Sequence, residues 1–123
     1  MRILLADDQS KVRFALRVLL ERQPGVEVVG EAADAADLLA QTEASRPDLV
    51  LLGWELPGLA EADLPSALRQ VCPDLTIVAL SPRPELRQTT LGAGANEFVC
   101  KCDPPQRLLS IIADHTGQSL HCV

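Results

Sequence analysis

Five short apolar runs, separated by segments of helical periodicity, leave this chain few folds to choose from. The runs are Arg2-Ile3-Leu4-Leu5-Ala6, Val26-Glu27-Val28-Val29-Gly30, Asp48-Leu49-Val50-Leu51-Leu52, Leu75-Thr76-Ile77-Val78-Ala79-Leu80 and Asn96-Glu97-Phe98-Val99-Cys100. Runs of this length bounded by turn residues read as strands, and strands this apolar need cover on both faces. After the first, Val12, Ala15, Leu16, Leu19 and Leu20 recur on one helical face, with Ser10 placed to cap it and Pro24-Gly25 to end it. Asp34 is placed to cap a helix reaching about Ala44, which Arg46-Pro47 breaks. Pro57-Gly58 reads as a turn. Asp63-Leu64-Pro65 reads as the start of a short helix that stops before Pro73. Another helix runs from Pro84 to about Leu91 and ends at Gly92 or Gly94. Pro104-Pro105 opens a last one carrying Leu108, Ile111 and Ile112.

Strand then helix, five times over with short connections, predicts an α/β fold. The expected form is (βα)5, a doubly wound five-stranded parallel sheet. The 123 residues suit a single domain spanning 1–123. Its core must be aliphatic, because Phe14, Trp54 and Phe98 are the only aromatic residues. A net charge of −6 makes a poor electrostatic match for nucleic acid, so no direct DNA contact is expected of this domain. No signal peptide and no apolar stretch of membrane-spanning length is visible, which points to a cytoplasmic location and no membrane contact. The four cysteines, Cys72, Cys100, Cys102 and Cys122, form no C-x-x-C pair, and His115 and His121 stand at no ligand spacing. They read as free thiols of a reducing compartment.

In folds of this kind, ligands bind beyond the carboxyl ends of the strands. Those ends carry Asp7-Asp8, Gly53, Ser81 and Lys101. Paired carboxylates suit a hard divalent cation, and a hydroxyl with an ammonium suits phosphoryl oxygens. No nucleophile–base pair is visible, so an enzyme is not expected.

The segments ILLADDQSKVR, PDLVLLGWELPGL, TIVALS and GANEFVCKCDPPQRL occur in that order. Together they resemble the receiver domain of two-component response regulators, a CheY-like, flavodoxin-like fold, and most of all the receivers of LuxR/NarL-type regulators. The resemblance covers essentially the whole chain. It implies that Asp7, Asp8 and the backbone carbonyl of Glu55 would hold Mg²⁺. Ser81 and Lys101 would bind phosphoryl oxygens, and Phe98 would be the aromatic switch residue. It also implies that the residue at position 53 accepts the phosphoryl group, and there the chain has glycine in place of aspartate. No acyl phosphate can form on Gly53, and one anionic metal ligand is gone, so Mg²⁺ binding is expected to be weak or vestigial. A smaller departure is Cys102, where many receivers carry proline after the lysine.

Four further expectations follow. Lys101, without a phosphoryl group, needs an internal partner, which Asp7 or Asp8 can supply. Glu55 is expected to point to solvent rather than to replace the missing acid. Cys100 and Cys102 flank Lys101, whose ammonium favours a thiolate, so a thiol switch is one reading. The other is a small buried residue with an incidental neighbour, since residues two apart on a strand rarely form a disulfide. Phe14 and Val18 on the first helix, with Leu109 and Ala113 on the last, outline a surface for a homodimer or a signalling partner.

The function expected is a degenerate receiver, a pseudo-receiver acting without aspartyl phosphorylation as an interaction or dimerisation module linked to transcription regulation. Two alternatives stay open: a conventional phosphorelay receiver whose acceptor was lost or mutated, and a small-ligand or redox sensor built on the same frame.

Overall fold

The computed structural model describes residues 1–58 and 63–115. Its strands are β1 (Arg2–Ala6), β2 (Glu27–Ala32), β3 (Leu49–Gly53), β4 (Thr76–Ser81) and β5 (Glu97–Cys100). Its helices are α1 (Ser10–Glu21), α2 (Ala35–Ser45), α3 (Leu64–Val71), α4 (Arg87–Gly92) and α5 (Pro105–His115). All strand pairs are parallel, in the order β2-β1-β3-β4-β5. The chain reverses direction across the sheet between β1 and β3, so a crevice opens at their carboxyl ends. This is the doubly wound (βα)5 fold expected from the sequence.

The central strands alternate between two cores. Ile3, Leu5, Leu49, Leu51, Val78 and Val99 pack with Leu108, Ile111 and Ile112 of α5. Leu4, Val50, Leu52, Ile77 and Phe98 pack with Leu38, Leu64 and Leu68 of α2 and α3. Burial of this aliphatic surface on both faces is the main drive for the sheet.

Local signals account for most helix starts. Asp34 caps α2 by accepting a hydrogen bond from the Asp37 N–H at 2.8 Å. Pro65 lies in the first turn of α3. Ser10 does not cap α1: the cap residue is Gln9, without a side-chain bond, and Ser10 is already helical. The Asp7 carboxylate takes the Gln9 N–H instead, at 2.9 Å. A 3₁₀ turn at Pro84–Leu86 precedes α4, so the helix expected from Pro84 begins in a tighter winding.

Four strands shift from their expected bounds: β4 runs Thr76–Ser81 rather than Leu75 to Leu80, β5 begins at Glu97 rather than Asn96, and β2 and β3 move for clearer reasons. β2 extends to Ala32 because it keeps pairing with β1 through Leu5↔Glu31 and Ala6↔Ala32. As an edge strand it tolerates the charged Glu31 that hid this extension. β3 takes in Gly53, which pairs with Leu80, while Asp48 stays outside and accepts the Arg2 N–H.

The apolar face of α1 is only half covered. Leu20 is fully buried, Val12, Leu16 and Leu19 are partly so, and Ala15 is exposed. A cleft of about 510 Å³ is lined by this face and by Pro105 and Leu108 of α5. His121 and Cys122 lie outside the described residues.

Candidate functional site

The site forms where β1, β3, β4 and β5 end together. Asp7 follows β1 directly, and its N–H donates to Ala32 O at 3.1 Å, which prolongs the sheet by one bond. Only 1% of Asp7 is exposed. Lys101 follows β5, and its N–H donates to Ser81 O at 2.8 Å. These two extensions aim their side chains at one another across the sheet edge. Lys101 Nζ donates to Asp7 Oδ2 at 2.7 Å, the acid–lysine pair expected from the sequence. A carboxylate this deep needs such a partner, since an unpaired buried charge is costly. Asp8, the other candidate, is exposed.

Asp7 is held on three sides. Besides Lys101 and the Gln9 N–H, its own carbonyl accepts from Arg13 Nη1 at 2.5 Å. The result bears directly on Gly53. A Cβ placed on Gly53 would lie 2.6 Å from Asp7 Oδ2, 3.1 Å from Asp7 Cγ and 3.1 Å from Ala6 O. A real Cβ essentially never comes within 3.0 Å of such an atom, so the Asp7 carboxylate would have to shift to admit a side chain at position 53. Glycine at the end of β3 and the Asp7–Lys101 pair are therefore one packing solution.

Ser81 is fully buried, and its hydroxyl is committed within the protein. Oγ accepts the Arg83 N–H at 3.1 Å and donates to Glu55 Oε2 at a long 3.4 Å. Glu55 is exposed, yet its carboxylate bends back to Ser81 rather than pointing only to solvent, a correction to the expectation. Phe98 is buried in the α2/α3 core, and Trp54 beside Gly53 is buried in the same cluster.

Cys100 and Cys102 are joined by a disulfide, against the expectation of free thiols; among the described residues only Cys72 is free. The expectation assumed an extended chain, but β5 ends at Cys100. The Asp103 N–H donates to Cys100 O at 2.9 Å, closing a turn that folds Cys102 back over Cys100 with Cα atoms 5.1 Å apart.

The sequence reading missed the basic group beside the pocket. Arg13 Nε and Arg17 Nε both engage Glu31, at 3.0 and 2.6 Å. Arg17 and then Arg13 hold the Glu31 carboxyl below its ordinary value, against the opposing effect of burial. The available signal was Arg13 and Arg17 one turn apart on α1, facing an acid near the end of β2.

The donors do not suit Mg²⁺. Both Asp7 oxygens are engaged, one by an ammonium at 2.7 Å. Asp8 and Glu55 are exposed, and no group of three His, Cys, Asp or Glu side chains is set for a metal among the described residues. Mg²⁺ sheds water reluctantly and needs anionic oxygens in near-octahedral array. It would have to displace Lys101 to reach Asp7.

The expected contact surface is only partly exposed. Phe14 is 68% and Val18 38% exposed on α1, and Ala113 is exposed on α5. Leu109 is half-buried and packs against the core, so it belongs to the interior more than to a free face. No helix among the described residues is long and apolar enough to cross a membrane.

Comparisons place this geometry among known proteins. The family model described as response regulator receiver domain matches residues 3–113. The uncharacterized transcriptional regulatory protein YhcZ of Bacillus subtilis is 32% identical over 120 residues, covering 96% of this chain and 56% of that protein. The response regulator UvrY of Escherichia coli K12 is 30% identical over 119 residues, covering 94% of this chain and 55% of its own. The chain thus spans about half the length of these relatives. Among solved structures, a LuxR-family two-component response regulator from Aurantimonas sp. SI85-9A1 superposes with a TM-score of 0.85 at 33% identity, covering 94% of this chain and 85% of that one.

Proposed function

The chain belongs to the response regulator receiver domain family of two-component signalling, and from that premise we propose that it works without aspartyl phosphorylation. In this reading it is a binding module, not an enzyme. It presents one conformation, or a population set by a partner protein rather than by phosphate. The partner is a second copy of the chain or another signalling protein, and the output is control of transcription, as the name of the relative YhcZ suggests. The domain itself, with net charge −6, does not contact DNA.

One observation carries the proposal. The Asp7 carboxylate fills the space over Gly53 and is neutralised there by Lys101. The resemblance assigns position 53 to the phospho-acceptor, Asp7 to the metal and Lys101 to the phosphoryl group. All three roles are given up together in a pocket closed on itself. The exposed Phe14 and Val18 support α1 as the contact face.

The reading as a conventional receiver with a lost acceptor requires a pocket otherwise ready for use. The position of Asp7 weighs against that. The test uses Trp54, the only tryptophan, which follows Gly53. Mg²⁺ is titrated with and without beryllofluoride while fluorescence is followed, and acetyl phosphate labelling is read by intact mass. Wild type is expected to stay flat and unlabelled. Saturating Mg²⁺ binding by wild type would overturn the closed pocket. A Gly53→Asp protein that labels readily would favour the conventional receiver.

A further inference from the structure

We propose that Cys100 and Cys102 form a thiol–disulfide exchange site that sets the freedom of Lys101, and through it the strength of the Lys101–Asp7 pair. This goes beyond phosphate-independent signalling and holds whichever partner the domain binds. The two sulfurs are brought together by a local turn. The Cys100 N–H donates to Asp103 Oδ2 at 3.1 Å and the Asp103 N–H returns to Cys100 O at 2.9 Å, so two bonds of the turn are independent of sulfur, beside the Cys102 N–H that donates to Cys100 Sγ at 3.3 Å. A cross-link between residues two apart removes little chain entropy from the unfolded state. It is poorly suited to staple the fold, and breaking it unlinks no distant elements.

What it does constrain is the one residue inside its ring. Lys101 is tied to Ser81 O through its N–H and to Asp7 through its ammonium. With the disulfide closed, its backbone is fixed at both neighbours. With the disulfide open, the peptide after Lys101 regains freedom and the ion pair carries a larger ordering cost.

Exposure gives the pair an order of reaction. Cys102 is exposed and Cys100 is 4% exposed. In oxidation by a small-molecule disulfide RSSR, the Cys102 thiolate attacks one sulfur, forming a mixed disulfide and releasing RS⁻. The Cys100 thiolate then attacks the Cys102 sulfur and releases the second RS⁻. The two thiol protons end on the two RSH products, and RSSR takes the two electrons. Reduction by a dithiol runs the same steps backwards, entering at the accessible Cys102 sulfur.

The experiment equilibrates the full chain in glutathione buffers from fully reduced to fully oxidised. Thiols are trapped by acid quench and alkylation under denaturing conditions, and peptides are mapped by mass. In parallel, the acylation rate of Lys101 by an N-hydroxysuccinimide ester is read in each buffer. The expected result is one two-electron transition joining Cys100 to Cys102, with Lys101 acylated several-fold faster in the reduced form. Cys102→Ser, at an exposed position, should show the faster rate in every buffer. Cysteines 100 and 102 that remain alkylatable in fully oxidised glutathione would overturn the proposal. So would a Lys101 rate equal in the two states. Neither readout involves phosphoryl transfer, so failure here is separate from failure of the proposed function.

Discussion

The Asp7 carboxylate stands 2.6 Å from the point where a Cβ on Gly53 would lie. A glycine at the end of β3 and an acid just past the end of neighbouring β1 thereby share one volume. The acid keeps that place because Lys101 holds it at 2.7 Å. The first prediction follows from this contact.

Gly53→Ala should destabilise the domain by about 1–3 kcal/mol, the usual cost of forcing a methyl group into filled space. In an open strand position the same change would gain roughly 0.5–1 kcal/mol. Urea unfolding midpoints measure the difference. The cost should shrink in an Asp7→Ala background, because the colliding atom is gone, and that non-additivity identifies the cause. A stabilising Gly53→Ala would show that Asp7 does not hold this position.

Lys101→Met leaves the Asp7 carboxylate buried without its ammonium. The expected loss is about 3 kcal/mol, as for other broken buried pairs. The double variant Asp7→Asn with Lys101→Met should recover much of it, since neither charge is then stranded. Equal stability of Lys101→Met and wild type in denaturant titrations would count against a structural role for the pair.

Stability should fall on the acid side in a way traceable to Glu31. Its carboxyl is held below 4.5 by Arg17 first and Arg13 second. A depressed folded-state value means the contribution is fully present above the unfolded value near 4.5 and is lost as pH falls through the lower folded value. Wild type and Glu31→Gln should therefore differ by a constant amount at neutral pH and converge as the solution is acidified. The group is partly exposed, so the difference should also shrink with added salt. A gap that is flat from neutral pH into strong acid would mean that Arg17 and Arg13 do not hold the charged form.

Phe14→Glu should leave folding intact within about 0.5 kcal/mol, as surface substitutions do. If α1 is the contact face, it should weaken self-association at least about tenfold, about 1.4 kcal/mol in binding. Sedimentation equilibrium of wild type and variant decides this. Identical association constants would remove α1 from the interface.

Much of this could be read in the sequence because strand and helix periodicities differ and the strands are apolar on both faces. Ile3 to Ala6, Val50 to Leu52 and Ile77 to Leu80 left no plausible solvent face, so a parallel sheet covered by helices was the natural solution. The convergence of Asp7, Ser81 and Lys101 followed from the rule that parallel strands end on the same edge. Other features were not legible for specific reasons. The extension of β2 through Glu31 depends on continued pairing with β1, not on apolar pattern. The disulfide depends on β5 ending at Cys100 and turning at once. The half-burial of Leu109 depends on how α5 lies against the sheet.

The sequence by itself therefore determined the alternating elements, the parallel sheet, the edge on which the polar residues meet and the need for an acid to answer Lys101. Only the tertiary structure decided that Asp7 is that acid, that its carboxylate occupies the space above Gly53, that Glu55 bends to Ser81 and that Cys102 closes on Cys100. The physical reason is one of range. Periodicity and burial are properties of a run of residues, and a chain states them locally. Which side chains touch at a sheet edge depends on differences of an ångström or two in the register of strands far apart in sequence and in the turns that follow them.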